Sequence, residues 1–158
     1  MKKYLVISFL FIPMTMSLTP MPSLNVQLPH VRKITPIQVD PIQQRDDLIA
    51  ALIQVESSGN DKAYNESEDA VGCLQIRRVM VREVNRILRR TNSKDRYDMA
   101  DRWNCDKSKE MFNIWREYHH ADSEYETIAR NWNGGPKGYS MRATERYWKK
   151  VQNHLDSK

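Results

Sequence analysis

The chain has 158 residues, a formal net charge of +5 and 40% hydrophobic residues. This length gives room for one domain of moderate size, and the composition, with only five glycines, excludes a disordered or fibrous protein. We therefore expect one hydrophobic core.

The N-terminal segment MKKYLVISFLFIPMTMS, residues 1–17, joins two lysines to an apolar stretch of about a dozen residues, which is typical of a signal peptide. The stretch is shorter than the roughly 20 residues of a membrane-spanning helix, and Pro13 interrupts it. No clear A-x-A cleavage site is present. We expect export to the periplasm or outside the cell, with membrane contact only if the signal stays uncleaved.

Residues 18–44 contain five of the seven prolines and show no sustained hydrophobic period, which predicts an extended linker. Beyond them, helical patterns continue without a proline until Pro136. We therefore place a single domain at residues 45–158.

The first helix of this domain is predicted at residues 46–57, with Glu56 in its last turn. The turn-forming residues that follow predict a loop or small hairpin up to Val71. Burial against apolar side chains at a helix end raises the pKa of a carboxyl group, as a general acid at neutral pH requires. The alternative is that Glu56 only caps the helix or forms a local pair.

The next helix is predicted to begin near Leu74 and contains the basic run Arg77–Arg90. Its apolar positions follow helical spacing, which favours a solvated arginine face over a nucleic-acid site: Ile76, Val79, Met80, Val84, Ile87 and Leu88. Loss of residues 1–17 would remove two lysines and no acid, which lowers the charge from +5 to +3. We expect no nucleic-acid partner, and instead attraction to an anionic polymer outside the membrane.

Three further helices are predicted. The first, at residues 106–120, has a core face with Met111, Ile114, Trp115 and Tyr118. Ser123 and Glu126 form a capping box for a helix that ends at residues 133–136, and the last helix is predicted at residues 144–155. The tryptophans assigned to the core are Trp103, Trp115 and Trp148.

Four motifs occur in the order and approximate spacing of the lysozyme-like superfamily: VESSGNDKA, GCLQI, IARNWNGGP and TERYWKKV. The chain most resembles lytic transglycosylase catalytic domains, and its C-terminal motif is also similar to invertebrate-type lysozymes. Glu56 and Ser57 match the family's Glu-Ser at a helix end. The resemblance covers about residues 45–155 and implies a mainly α, lysozyme-like fold, a single helical domain with an irregular loop or small hairpin after the catalytic helix.

The resemblance also implies a reaction on peptidoglycan glycan strands. Glu56 would protonate the glycosidic oxygen between N-acetylmuramic acid and N-acetylglucosamine, and then act as the base that closes a 1,6-anhydro ring, with no cofactor or metal. A hydrolysing muramidase commonly uses a second carboxylate, for which the acidic loop 65–72 offers Glu66, Glu68 and Asp69. Asp69 is the preferred candidate of the three, and a solvated acidic loop is the alternative. A non-catalytic, wall-binding protein is the alternative from another class. We expect a monomer.

Five residues are candidates for substrate binding. Ser57 follows from the family motif, whereas Gln75, at the start of a helix, and Asn133 offer amide hydrogen bonds to sugar groups. Trp132 replaces a family tyrosine, and Trp132 or Tyr147 would stack on a sugar face unless it packs in the core. Gly134 and Gly135 would let the backbone approach the glycan.

The two cysteines, Cys73 and Cys105, suggest one disulfide in an exported chain, and separate buried thiols are the alternative. The four histidines show no metal-ligand spacing with acids or thiols. The adjacent pair His119 and His120 is explained by the dipole at a helix end.

Overall fold

The computed structural model describes residues 41–157, with side chains from Asp47 onward. Five α-helices are present: α1 Pro41–Ser57, α2 Arg78–Arg90, α3 Cys105–His120, α4 Tyr125–Gly134 and α5 Glu145–Asp156. The short strands β1 Tyr64–Asn65 and β2 Ala70–Val71 pair antiparallel between α1 and α2. The predicted mainly α fold with a hairpin after the first helix is confirmed. The predicted signal peptide, and all but the end of the predicted linker, lie outside the described residues.

The core lies where α1 packs on α5, α2 on α3, and α4 on α5. On the helices its fully buried side chains recur at helical spacing, and they include Leu48, Leu52, Met111, Phe112, Ile128 and Val151. Burial of each such side chain contributes about 2 kcal/mol to folding. Within residues 41–157, no helix is both long enough and apolar enough to cross a bilayer.

Two helices begin several residues away from the predicted position. Helix α1 starts at Pro41 instead of Asp46, because proline is tolerated in a first helical turn. Helix α2 starts at Arg78, so the predicted start near Leu74 is wrong. Gln75 has a φ of 46°, in the left-handed region, and this breaks any helix before Ile76.

Several assignments of side chains to the core are also wrong. Trp103 is 45% exposed and packs its ring against that of Tyr64, with 6.1 Å between the centroids. Val79 is 60% exposed near the start of α2, where Val81 is buried instead. Tyr118, at 40% exposure, lies outside the core near the end of α3. Near these element ends, helical spacing alone does not tell which side faces the core.

The predicted capping box at the start of α4 is not formed. The N-cap is Glu124 and makes no side-chain cap hydrogen bond. Glu126 accepts a hydrogen bond from Arg130 Nη1 at 2.7 Å, one turn further along the helix. The carboxylate of Glu126 is therefore engaged by a guanidinium instead of the backbone at the helix start.

A buried polar cluster joins α4 to the start of α5. Arg130 Nε donates to Thr144 Oγ1 at 3.0 Å, and Arg130 Nη2 donates to the carbonyl of Met141 at 3.2 Å. The hydroxyl of Thr144 donates to the carbonyl of Gly138 at 2.7 Å. A Cβ on Gly138 would lie 2.0 Å from the carbonyl oxygen of Arg130, so only glycine allows this close approach. The cluster fixes where α5 begins.

Cys73 and Cys105 form a disulfide, which decides between the two alternatives left open by the sequence. The bridge links the turn after β2 to the first residue of α3. Cys73 is fully buried, so the bridge is part of the core.

Replacement of both cysteines by alanine is expected to lower the free energy of unfolding by about 3 to 4 kcal/mol. The bridge spans 32 positions, and its loss returns that loop's conformational entropy to the unfolded chain. Denaturant titration of the oxidised protein and the double variant measures the difference. Reductant should destabilise the wild type to the same extent and leave the variant unchanged. A loss below about 1 kcal/mol would contradict the prediction.

Candidate active site

Glu56 stands at the boundary between the apolar helix α1 and a polar turn. The helix ends because Ser58 and Gly59 both adopt left-handed φ angles, 53° and 80°. Glu56 therefore lies in the last turn, where the negative end of the helix dipole disfavours a carboxylate, and it is partly buried there. The local sequence thus places an acid in a setting that favours its protonated form.

The pKa of Glu56 is raised, mainly because burial penalises the carboxylate. Hydrogen bonding by Tyr147 and Trp132 acts in the opposite direction, and so does the charge of Arg77. Tyr147 Oη donates to Glu56 Oε1 at 2.7 Å. Burial and the neighbouring Glu56 charge raise the pKa of Tyr147 well above its ordinary value, so the phenol keeps its proton and remains a donor.

Glu56 lines a cavity of about 170 Å³ between the hairpin and the ends of α1 and α4. Three predicted substrate-binding residues line it as well: Gln75, Trp132 and Asn133. Glu68, one of the three acids that the sequence offered as a second carboxylate, also lines the cavity. The other lining residues come from the hairpin, the segment before α2 and the first turn of α2, and were not predicted for the site: Asn65, Ala70, Ile76, Arg77, Val79 and Met80. Tyr147 joins the site through its hydrogen bond to Glu56.

Ser57 and Gln75 hold the turn that forms one wall of the cavity. Ser57 Oγ donates to the carbonyl of Cys73 at 2.9 Å and is not among the cavity-lining residues. Gln75 lies in the turn itself, and its Nε2 donates to the carbonyls of Ala63 and Gly72 at 3.2 and 3.0 Å. The amide hydrogens of Gln75 are thus used within the protein, and its Oε1 is the atom that can accept a hydrogen bond from a ligand.

Trp132 belongs to both the core and the cavity wall. It is 9% exposed and meets Phe112 and Trp115 edge to face, with centroids 5.0 and 5.3 Å apart. Gly134 does not form an open approach to a ligand as predicted, because a Cβ there would lie 2.7 Å from Thr144 Cγ2. Gly135 has open space and a φ of 76°, as a close approach of backbone to a ligand would require.

The acidic loop places Glu68, and not Asp69, in the wall of the Glu56 cavity. Asp69 forms ion pairs with Arg78 and, at 3.6 Å, with Arg102. The hydrogen bond from Arg78 is the main reason that the pKa of Asp69 is lowered. Asp69 is therefore an ionised, paired carboxylate, whereas the charge of Glu68 acts to raise the pKa of Glu56.

A second cavity, of about 480 Å³, adjoins the first and shares Arg77, Val79, Met80 and Trp132 with it. Its remaining lining residues are Glu83, Trp115, His119, His120, Asn131, Gly135 and Pro136. His119 Nε2 lies 2.7 Å from Glu83 Oε1, and the pKa of Glu83 is lowered to about 2, chiefly by Arg86. The two histidines thus line the second cavity, a position that the interaction with the helix dipole does not predict.

One group of potential metal ligands occurs among residues 47–157. Asp61 and the sulfurs of Cys73 and Cys105 lie within 4.8 Å of one another. Both sulfurs belong to the disulfide, so neither is a free thiolate that could bind an ion.

Comparison with known proteins identifies the family. A family model described as the transglycosylase SLT domain matches residues 42–150, a range that contains every residue of the Glu56 cavity. A comparison with curated proteins gives no match. Because the model matches most of the chain, from the start of α1 to the middle of α5, this protein belongs to the transglycosylase SLT domain family of the lysozyme-like superfamily.

Proposed function

We propose that the protein is a lytic transglycosylase that cleaves the β-1,4 bond between N-acetylmuramic acid and N-acetylglucosamine. The observation that carries this proposal is a carboxyl group of raised pKa, Glu56, held by Tyr147 in a cavity with amide side chains. Family membership supports peptidoglycan as the substrate. A purely glycan-binding protein has no need of a protonated acid at this position.

In the proposed reaction, protonated Glu56 donates its proton to the glycosidic oxygen as the bond to the muramyl C1 breaks. The resulting carboxylate then takes the proton of the muramyl 6-hydroxyl, whose oxygen forms the new bond to C1. One glycosidic bond is exchanged for an internal one, and no water is consumed. The raised pKa suits the first step, and the Tyr147 hydrogen bond stabilises the carboxylate for the second.

Hydrolysis is the second candidate function, and Glu68 is the residue that favours it. Its carboxylate is exposed in the wall of the same cavity, where it could activate a water. Asp69 is a weaker candidate, because it pairs with both Arg78 and Arg102 and lies outside that wall. Among the described residues, Glu68 pairs with Arg77 alone, at 3.5 Å. We favour the transglycosylase because that route requires only Glu56.

We further propose that a glycan strand extends from the Glu56 cavity into the second cavity, where Trp115, Trp132 and Pro136 supply apolar surface. The protein would act as an exported monomer on the cell wall. The signal-like residues 1–17 support export, and the basic charge of the remaining chain suits encounter with an anionic wall.

Replacement of Glu56 by glutamine is expected to reduce release of soluble muropeptides by about 10² to 10⁴ fold, the usual contribution of proton transfer. Turbidity loss and muropeptide release from purified peptidoglycan measure the effect. Glu66→Gln, in the exposed acidic loop, is the matched control and should behave as wild type. Activity of Glu56→Gln within a few fold of wild type would end the proposed mechanism.

The folding of Glu56→Gln can be checked by comparing the pH dependence of its unfolding temperature with that of wild type. The folded pKa of Glu56 lies above its unfolded value, so the contribution of protonated Glu56 to stability is present below the unfolded pKa and is lost as the pH rises through the folded pKa. Glutamine has no such transition. The variant should therefore unfold at the same temperature as wild type, or higher, near neutral pH.

The reaction products separate the two candidate functions. Mass spectrometry of digested peptidoglycan is expected to show 1,6-anhydromuropeptides, lighter by one water than hydrolytic products. Asp69→Asn is expected to retain most of the activity, because Asp69 lies outside the cavity wall and asparagine keeps an oxygen beside the Arg102 guanidinium. Reducing-end muropeptides as the main product, abolished by Glu68→Gln, would make the protein a muramidase.

Replacement of Tyr147 by phenylalanine is expected to move the alkaline limb of the kcat profile to higher pH. The Tyr147 hydrogen bond lowers the pKa of Glu56, so its loss raises that pKa further, and the acid stays protonated over a wider range. Tyr139→Phe, at an exposed ring, is the control. A limb that stays in place or moves to lower pH would contradict this role of Tyr147.

A further inference from the structure

The segment from Asp69 to Ile76, here called the active-site turn, forms one wall of the Glu56 cavity through Ala70, Gln75 and Ile76. Its backbone is unusual for so short a stretch. Asp69, Gly72 and Gln75 all have left-handed φ angles, of 47°, 78° and 46°. Such angles are unfavourable for the two residues that are not glycine, so contacts from elsewhere must hold the turn in this shape.

Arg102 supplies contacts to both ends of the active-site turn. Its Nη1 donates to the carbonyl of Asp69 at 2.8 Å and to the carbonyl of Ile76 at 3.3 Å. Its Nη2 lies 3.6 Å from Asp69 Oδ1. Nη1 thereby sets the distance between the beginning and the end of the turn while Nη2 faces Asp69, and lysine, with a single nitrogen, cannot keep all three contacts in this geometry.

Arg102 is itself firmly held. The residue is 5% exposed, and its Nε donates to the carbonyl of Met99 at 3.1 Å. Its backbone carbonyl accepts from Ser108 Oγ at 3.1 Å and would lie 2.3 Å from a Cβ on Gly72. A buried guanidinium is costly unless it is paired, and Asp69 lies beside it as an ionised carboxylate. The pairing explains why Asp69 faces arginines instead of the cavity.

We propose that Arg102, with Asp69 as its counter-ion, is a positioning residue that holds Gln75 and the adjoining wall in place opposite Glu56. Arg102 does not line the cavity and touches no reacting group, so it acts only through the active-site turn. This inference rests on the proposed function for its kinetic consequence. Its structural consequence, an ordered turn, stands independently.

The test uses the full chain with Arg102→Met, Arg102→Lys and Arg78→Met. Arg78 is the matched control, since it also pairs with Asp69 but is exposed and hydrogen-bonds to the Asp69 side chain, not to the backbone of the turn. We expect Arg102→Met to lower kcat/KM by about 10²-fold through a misplaced wall. The lysine variant should recover part of this loss, and Arg78→Met should match wild type within about twofold.

A double variant separates positioning from a loss of folded protein. If Arg102 acts through Gln75, the double variant Arg102→Met with Gln75→Ala should have the same kcat/KM as the less active of the two single variants, within about twofold. Losses that multiply would show that the two residues act independently. Hydrogen exchange should show faster exchange of residues 69–76 in Arg102→Met, with α1 and α5 unchanged.

The outcomes distinguish the inference from the function on which it rests. If wild type releases no anhydromuropeptides, the proposed reaction fails, and hydrogen exchange still tests the turn. If wild type is active and Arg102→Met keeps both its kcat/KM and its exchange pattern, the inference is overturned. If Arg102→Met does not fold, Arg102→Lys, which keeps the buried charge, must show the same faster exchange at residues 69–76, and protection equal to wild type overturns the proposal.

Discussion

The hydrogen bond from Tyr147 to Glu56 joins residues 91 positions apart, and the chemistry of the cavity depends on it. It can form only if the start of α5 lies beside the end of α1. Packing of α5 on α1 brings the helices together, and the Arg130 and Thr144 cluster fixes where α5 begins. Apolar packing tolerates small shifts, whereas a buried network of directional hydrogen bonds does not. A polar cluster away from the cavity thereby helps to define the environment of the acid.

Much of this arrangement was predictable because its causes are local. The apolar spacing of α1 and the break at Ser58 and Gly59 together place Glu56 where a buried helix meets a polar turn. The hairpin after α1, and the helices α3 and α5, followed from hydrophobic periodicity and turn residues to within one or two positions. The sequence alone did not decide whether the two cysteines form a disulfide, because that depends on the distance between a turn and a helix far along the chain.

The parts that the sequence did not predict depend on how the chain turns back on itself. The sequence predicts Gln75 at the start of a helix, because neither its residue type nor its neighbours indicate the left-handed conformation that it adopts. The hairpin pairs Tyr64 with Val71 and Asn65 with Ala70, and this register sends Glu68 towards the cavity and Asp69 towards two arginines. Without that register, the sequence does not tell which of the three acids at residues 66–69 faces the cavity.

Trp132 packs against Phe112 and Trp115 on one side and lines both cavities on the other. Its indole thus separates the hydrophobic core from the two cavities. A substitution that changes the shape of this side chain alters both the core packing and the cavity walls. A smaller ring at Trp132 would widen the two cavities and leave a void between Phe112 and Trp115 at the same time. A substitution of Trp132 that changes ligand preference is therefore expected to change stability as well. Keeping the stability of such a variant requires compensating substitutions at Phe112 or Trp115.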